Sequence, residues 1–363
     1  MDNNYVVIMA GGIGSRFWPL SRETYPKQFI DILGTGESLI QQSFRRAKKI
    51  CSIKNILIVT NKEYKHLCIE QLEGVVPSNI LCEPVMRNTA PCIAYAAFKI
   101  HSVNPNANIV IVASDHIIMD DLKFFSVIND CLEQTAKNDI ILTLGISPNK
   151  PETGYGYIQF TSENLNSHDK IKKVKTFTEK PNQELALNFI DSGDFLWNSG
   201  MFICNANSII LAYRKHLRDL FDIFEEGRKY YNTDQETKYI DSIFSSCKNI
   251  SVDYGIMERS DKVYVYPTNF GWSDLGTWSS LYTHSAKDLN NNVLEGENIY
   301  TYNSENNIIK FPKNKLVVIQ GLSGYIIVEN NSELLICKKE DEQDIKQFVL
   351  DIKKNSKKEI NKD

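Results

Sequence analysis

The chain has 363 residues, enough for one large domain and a smaller one, and its 42% hydrophobic and 24% charged residues are those of a globular protein. A net charge of −4 and a pI near 6.0 argue against a nucleic-acid polymer or an anionic membrane as partner, since both demand a basic face. Eight cysteines without a C-x-x-C pair fit free thiols rather than zinc or disulfides, and with no signal peptide and no bilayer-length apolar run the expected location is cytoplasmic.

The first element is a short apolar strand over residues 5–9 that ends in Ala10, Gly11, Gly12, Ile13, Gly14, Ser15 and Arg16. Three glycines in four positions remove the Cβ atoms that would hold a ligand off, so backbone N–H groups can face an anion. Arg16 and Lys27 then supply mobile cations suited to phosphate oxygens, and the loop reads as a polyphosphate site. The dinucleotide fingerprint fails because Phe17 stands where its third glycine must be. A P-loop fails because Gly14 is followed by Ser-Arg rather than Lys-Ser/Thr.

A capping box at Ser38 and Gln41 opens a helix to 50, and a strand at 55–60 and a helix at 62–72 follow. Glu83, Arg87 and Asn88 precede an Ala-rich helix ending at 101; a capped buried helix explains most of that stretch but not Glu83 or Arg87. The strand 108–113 carries Asp115 just beyond its C-terminal end, where α/β sheets bind ligands. Alone, Asp115 reads as a turn or cap residue; beside a polyphosphate loop it becomes a candidate Mg²⁺ ligand. With a helix at 122–137 and a strand at 140–145, the alternation predicts a doubly wound, Rossmann-like, mostly parallel sheet.

The rhythm then changes. Gly154-Tyr155-Gly156-Tyr157 is a glycine–aromatic loop that can lie against a sugar or simply open a hairpin. A strand at 172–178 runs into Glu179-Lys180-Pro181, either a surface ion pair or a carboxylate and ammonium held at a strand end. Asn198 lies in Trp197-Asn198-Ser199-Gly200, helices are expected at 207–224 and 233–244, and Asp253 follows. A strand at 263–267 leads to Gly271-Trp272-Ser273-Asp274. From about 287 short β runs at 298–302, 307–311, 315–320, 325–329 and 333–337 are separated by Asn/Ser/Gly turns, and an amphipathic helix at 341–352 closes the chain. The expected division is 1–286, 287–340 and a helical, charged tail at 341–363.

The run Ala-Gly-Gly-x-Gly-Ser-Arg-x-Trp-Pro-Leu-Ser-Arg with Pro-Lys-Gln-Phe, then Glu-Pro-x-x-Arg-Asn-Thr-Ala-Pro, Glu-Lys-Pro and Trp-Asn-Ser-Gly-Met-Phe, resembles the sugar-nucleotide pyrophosphorylases, specifically the mannose-1-phosphate guanylyltransferase branch. The resemblance runs from Tyr5 to about Trp278. It implies a nucleotidyltransferase fold, with a small C-terminal β-helix-like domain that often contributes to subunit contacts in a homodimer or higher oligomer.

It also implies transfer of GMP from GTP to α-D-mannose 1-phosphate with Mg²⁺, giving GDP-mannose and pyrophosphate. In that scheme Ala10, Gly11, Gly12, Gly14, Ser15, Glu83, Arg87 and Asn88 bind the nucleotide. Gly154, Tyr155, Glu179, Lys180, Asn198 and Asp253 bind the sugar phosphate, Asp115 and Asp274 hold the metal, and Arg16 with Lys27 acts on the leaving pyrophosphate. The alternatives are a nucleotidyltransferase for another nucleotide or hexose 1-phosphate, and a catalytically silent nucleotide-sugar sensor. Both aspartates, Arg16, Lys27 and Lys180 are present, which speaks against the sensor.

Overall fold

Short apolar strands and the loops beyond their C-terminal ends place most of the candidate residues. The structure is a computed structural model and describes residues 3–165 and 168–360; residues 361–363 of the expected tail lie outside them. The chain forms two units, Met1–Gly11 with Gln42–Trp272 and Gly12–Gln41 with Ser273–Asp363. The glycine-rich loop thus groups with the C-terminal part of the chain.

The first unit contains β1 (Asn4–Ala10), β2 (Ile56–Asn61), α2 (Lys65–Gln71), β3 (Ile80–Glu83), α3 (Thr89–Val103) and β4 (Asn108–Ala113), with α1 (Leu39–Ile50) spanning the boundary at 41/42. Then come β5 (Ile117–Ile118), α4 (Asp121–Lys137), β6 (Ile141–Ile146), β7 (Gly156–Leu165), β8 (His168–Glu179), α5 (Gln183–Ser192) and β9 (Phe195–Asn205). α6 (Ala206–His216), α7 (Arg218–Glu226), α8 (Glu236–Ile243) and β10 (Val263–Thr268) complete it, and β11 (Trp272–Ser273) spans its end.

Nine strands form one sheet in the order β3-β2-β1-β4-β9-β6-β10-β8-β7. The β3-β2-β1-β4 part is parallel, as the strand–helix alternation predicts. The other part is not: β9 runs antiparallel to both β4 and β6, and β8 is antiparallel to β10 and β7, with only β6–β10 parallel. The sheet is therefore mixed rather than mostly parallel. β9 was hidden because Asn198-Ser199-Gly200 reads as a turn signal; Gly200 takes φ 66 and the β6–β9 register shifts between Thr143 and Gly145, an irregularity that lets the strand bend and continue.

The core lies on both faces of this sheet. Val6 and Ile8 of β1 are fully buried, and Ala90, Ala94, Ala96 and Phe98 of α3 are likewise 0% exposed. Small residues let α3 lie close to the sheet, and Phe98 meets Tyr213 and Phe224 at ring-centroid distances of 6.2 and 6.0 Å.

In the second unit, α9 (Trp278–His284) precedes β12 (Val293–Glu295), β13 (Asn298–Tyr302), β14 (Ile308–Lys310), β15 (Leu316–Gln320), β16 (Tyr325–Asn330) and β17 (Glu333–Lys338). β12, β14 and β16 pair in parallel, as do β13 and β15, while β17 returns antiparallel to β16. Ile308, Ile309 and Ile326 fill the interior at 0% exposure. Asn292 and Asn307, also fully buried, satisfy one another: Asn307 Nδ2 donates to Asn292 Oδ1 at 3.0 Å. A tight helical turn, Lys339–Asp344, leads into α10 (Ile345–Ile360).

Candidate active site

In the first unit, β1 delivers Ala10 and Gly11. Ala10 O accepts from Thr60 Oγ1 at 2.8 Å, and a Cβ on Gly11 would lie 3.7 Å from Glu83 Oε2, so this backbone and the carboxylate at the end of β3 share one small space. Glu83 is 4% exposed and its Oε1 has no hydrogen-bond partner; burial pushes its carboxyl up to about 8. Arg87 donates through Nη2 to Ser245 O, and its buried Nε has no partner. Asn88 caps α3 by accepting from Thr89 N, at φ 68.

Asp115 follows β4 with its side chain 29% exposed. Trp272 Nε1 donates to His116 Nδ1 at 3.2 Å, which leaves the proton of a neutral imidazole on Nε2, 4.0 Å from Asp115 Oδ1. His116 is thus a neighbour of Asp115.

Asn198 sits mid-strand in β9. Its Nδ2 donates to Asp253 Oδ1 at 2.8 Å and its Oδ1 accepts from Gly200 N at 3.0 Å, which fixes the amide orientation. Asp253 opens a π-helical turn, Asp253–Met257. Its carboxyl is raised above the ordinary value, first by burial and next, among the raising influences, by nearby Glu179, against the lowering effect of the Asn198 hydrogen bond.

Glu179 ends β8 and pairs with Lys180 Nζ at 2.9 Å. Lys180 adopts φ 47 and donates its backbone N–H to Tyr155 O at 3.2 Å. A Cβ on Gly156 would come within 2.5 Å of Glu179 Oε2, so a larger residue would push the carboxylate out of this position. The Tyr155 ring meets Trp197 at 5.2 Å and Trp272 at 5.1 Å, while the Gly154 N–H turns to Glu152 Oε1. The sugar-side candidates Tyr155, Glu179, Lys180, Asn198 and Asp253 are thus linked through hydrogen bonds, ion pairs and electrostatic coupling.

In the second unit, Gly14 takes φ 70, and a Cβ there would collide with the stem of Lys27. Lys27 departs from a mobile cation: it is 3% exposed, and Nζ donates to Asp274 O at 3.1 Å and Leu275 O at 2.9 Å. It ties the glycine loop to the Asp274 segment. Leu275 takes φ 45 while fully buried, and Asp274 Oδ1 accepts from Gly276 N at 2.9 Å. Arg16 is exposed; its carbonyl accepts from Trp278 Nε1 at 2.8 Å and its Nε donates to Gln343 Oε1 at 2.9 Å. Gln343 gave no sequence signal, being a polar residue in an acidic run 327 positions away. Ser15 lines a cavity of about 420 Å³ together with Trp18, Arg22, Val349 and Leu350.

Among the described residues no group of three or more His, Cys, Asp and Glu could hold a metal by itself. No helix among them is long and apolar enough to cross a membrane. A family model described as nucleotidyl transferase matches residues 5–291. A mannose-1-phosphate guanylyltransferase of Salmonella muenchen is 38% identical over 364 residues, spanning 98% of this chain and 75% of that protein. The alginate biosynthesis protein AlgA of Pseudomonas aeruginosa is 36% identical over 349 residues, spanning 95% and 71%. Among solved structures, a Thermus thermophilus protein described as a mannose-1-phosphate geranyltransferase is similar with a TM-score of 0.86, covering 97% of this chain and 99% of that one at 25% identity.

Proposed function

The chain belongs to the nucleotidyl transferase family, and from that premise we propose that it transfers GMP from GTP to α-D-mannose 1-phosphate, giving GDP-mannose and pyrophosphate. The observation that carries the choice of nucleotide is the buried carboxyl of Glu83, whose Oε2 lies beside Gly11 and whose Oε1 has no hydrogen-bond partner. An ionised carboxylate offers only acceptors, and guanine presents two adjacent donors, N1–H and the N2 amino group, on one edge. Adenine presents an acceptor where guanine has N1–H. This reading assigns base recognition to a side chain.

A phosphate oxygen of the sugar phosphate attacks the α-phosphorus in line and pyrophosphate leaves, so the protein positions and neutralises charge rather than supplying a nucleophile. The incoming phosphate is already ionised at neutral pH and needs no general base. Lys180 holds that phosphate, and Glu179, Asn198 and Asp253 accept from or donate to sugar hydroxyls, with Tyr155 and Gly154 bordering the ring. Arg87 and Asn88 stand on the nucleotide side with Ala10, Gly11, Gly12, Gly14 and Ser15. Arg16 offsets the charge growing on pyrophosphate, and Lys27 holds the glycine loop against the 274–275 backbone.

The carboxylates of Asp115 and Asp274 are hard oxygen donors of the type Mg²⁺ takes, and they are the proposed ligands; the ion would neutralise phosphate charge. The parallel stack β12–β16 is read as a small β-helix-like domain contributing to a homodimer or higher oligomer. Eight free cysteines fit a reducing cytosol.

Incubation with GTP, ATP, UTP or dTTP and the 1-phosphates of mannose, glucose or fucose tests the assignment. GDP-mannose should form from GTP and mannose 1-phosphate with Mg²⁺ and not with EDTA. A preference for another pair, or turnover in EDTA, would overturn it.

A further inference from the structure

Within the second unit, the Arg16 guanidinium makes a single side-chain bond: Nε donates to Gln343 Oε1 at 2.9 Å. Its two terminal nitrogens have no partner among the described residues. The backbone beneath is fixed independently, because Trp278 Nε1 holds the Arg16 carbonyl at 2.8 Å and the Trp278 ring meets Phe17 at 5.1 Å. Gln343 is fixed independently too. Its neighbour Glu342 is 8% exposed and accepts from Ser279 N at 2.9 Å in the first turn of α9, and Ile345 two residues on is fully buried. The meeting of Arg16 and Gln343 therefore follows from two anchored segments rather than from two loose side chains finding each other.

The chemistry of position 343 is selective. The turn reads Lys339-Glu340-Asp341-Glu342-Gln343-Asp344, and the side chain that meets the guanidinium is the neutral amide in a run of acids. A carboxylate there would take Arg16 as an ion pair and compete with phosphate for it. An amide carbonyl orients the planar group through Nε without cancelling its charge, and leaves the two terminal nitrogens as a fork suited to phosphate oxygens.

We propose that Gln343 is a positioning residue for Arg16, presenting the guanidinium fork to the leaving pyrophosphate with its charge undiminished. This rests on the role given to Arg16 above. The C-terminal turn then acts on catalysis through Arg16.

Full-length Gln343→Ala, Gln343→Glu, Arg16→Ala and the two double variants would be compared for kcat, KM and thermal midpoint. Gln343→Ala should lower kcat about tenfold, an effect of misplacing a charge by a fraction of its reach. KM for mannose 1-phosphate should stay within about twofold. Gln343→Glu should lower kcat further while its thermal midpoint is equal or higher, which a merely structural contact would not do. In the Arg16→Ala background neither change should alter kcat by more than about twofold, since the partner is gone. Wild-type kcat in Gln343→Ala or in Gln343→Glu, or losses that multiply with that of Arg16→Ala, would overturn the proposal. Wild-type rates in Arg16→Ala alone would instead overturn the role of Arg16.

Discussion

The proposed sugar-side cluster and the proposed phosphate loop are held in place in different ways. Tyr155, Glu179 and Asn198 lie in or at the ends of sheet strands, and their partners Lys180, Gly156, Gly200 and Asp253 are neighbours in sequence or held by one short bond. Beyond Gly11 the proposed phosphate loop runs without strand support. Lys27 and Arg16 are fixed by bonds that reach 247 and 248 residues to the Asp274 and Leu275 carbonyls, and 262 and 327 residues to Trp278 and Gln343, respectively. A cluster built on a sheet tolerates loss of one partner; a loop strapped from a distance should lose its geometry as a unit.

Substitutions test the contrast. The largest effect is expected from Arg16→Ala, which should lower kcat about 10²- to 10³-fold in synthesis and in pyrophosphorolysis alike, as when one charge-stabilising donor is removed. Asp274→Asn should lower turnover by about 10²-fold with little change in GTP binding measured by calorimetry; wild-type turnover at saturating Mg²⁺ would remove Asp274 from the metal.

On the sheet-borne side the effects should fall on affinity. Lys180→Ala should raise KM for mannose 1-phosphate about 10- to 100-fold, the loss of one charge-assisted hydrogen bond, with kcat changed much less. Unchanged sugar-phosphate kinetics would equate the two regions and sink the distinction.

Glu83 gives the smallest effect on turnover and a pH signature. Its carboxyl is raised to about 8 from an ordinary 4.5, so the stability linked to it is fully present below about 4.5 and is lost as pH rises through about 8. Glu83→Gln should therefore flatten the fall in thermal stability across that window, by an amount on the order of 5 kcal/mol at most. In the same window the GTP donors need the ionised form, so KM for GTP should rise as pH drops below about 8 in the wild type and stay level in Glu83→Gln. A pH-independent KM would exclude Glu83 from base recognition.

How much of this could be read beforehand follows the same divide. The parallel strands β1 to β4 declared themselves because strands buried on both faces are continuous apolar runs between helices. Asp115 was visible at the end of such a run. β9 was not, because a strand that carries Asn198-Ser199-Gly200 imitates a turn, and the antiparallel order around it leaves no local trace. Lys27 was recognisable as a cation but not as a buried one; the carbonyls that bury it come from a distant segment. Gln343 was invisible, since nothing in an exposed acidic turn announces which residue it will face.

Nine non-glycine residues among those described adopt left-handed backbone, and six are asparagines, which tolerate it. Lys180 and Leu275 are not of that kind, and each directly follows a site carboxylate, Glu179 or Asp274. Their strain is a reserve that any programme of heat-resistance selection would find first. Variants that relax these two torsions should survive hotter incubation while turning over more slowly, so a robust catalyst is better sought by hardening α3 or the Asn292–Asn307 stack.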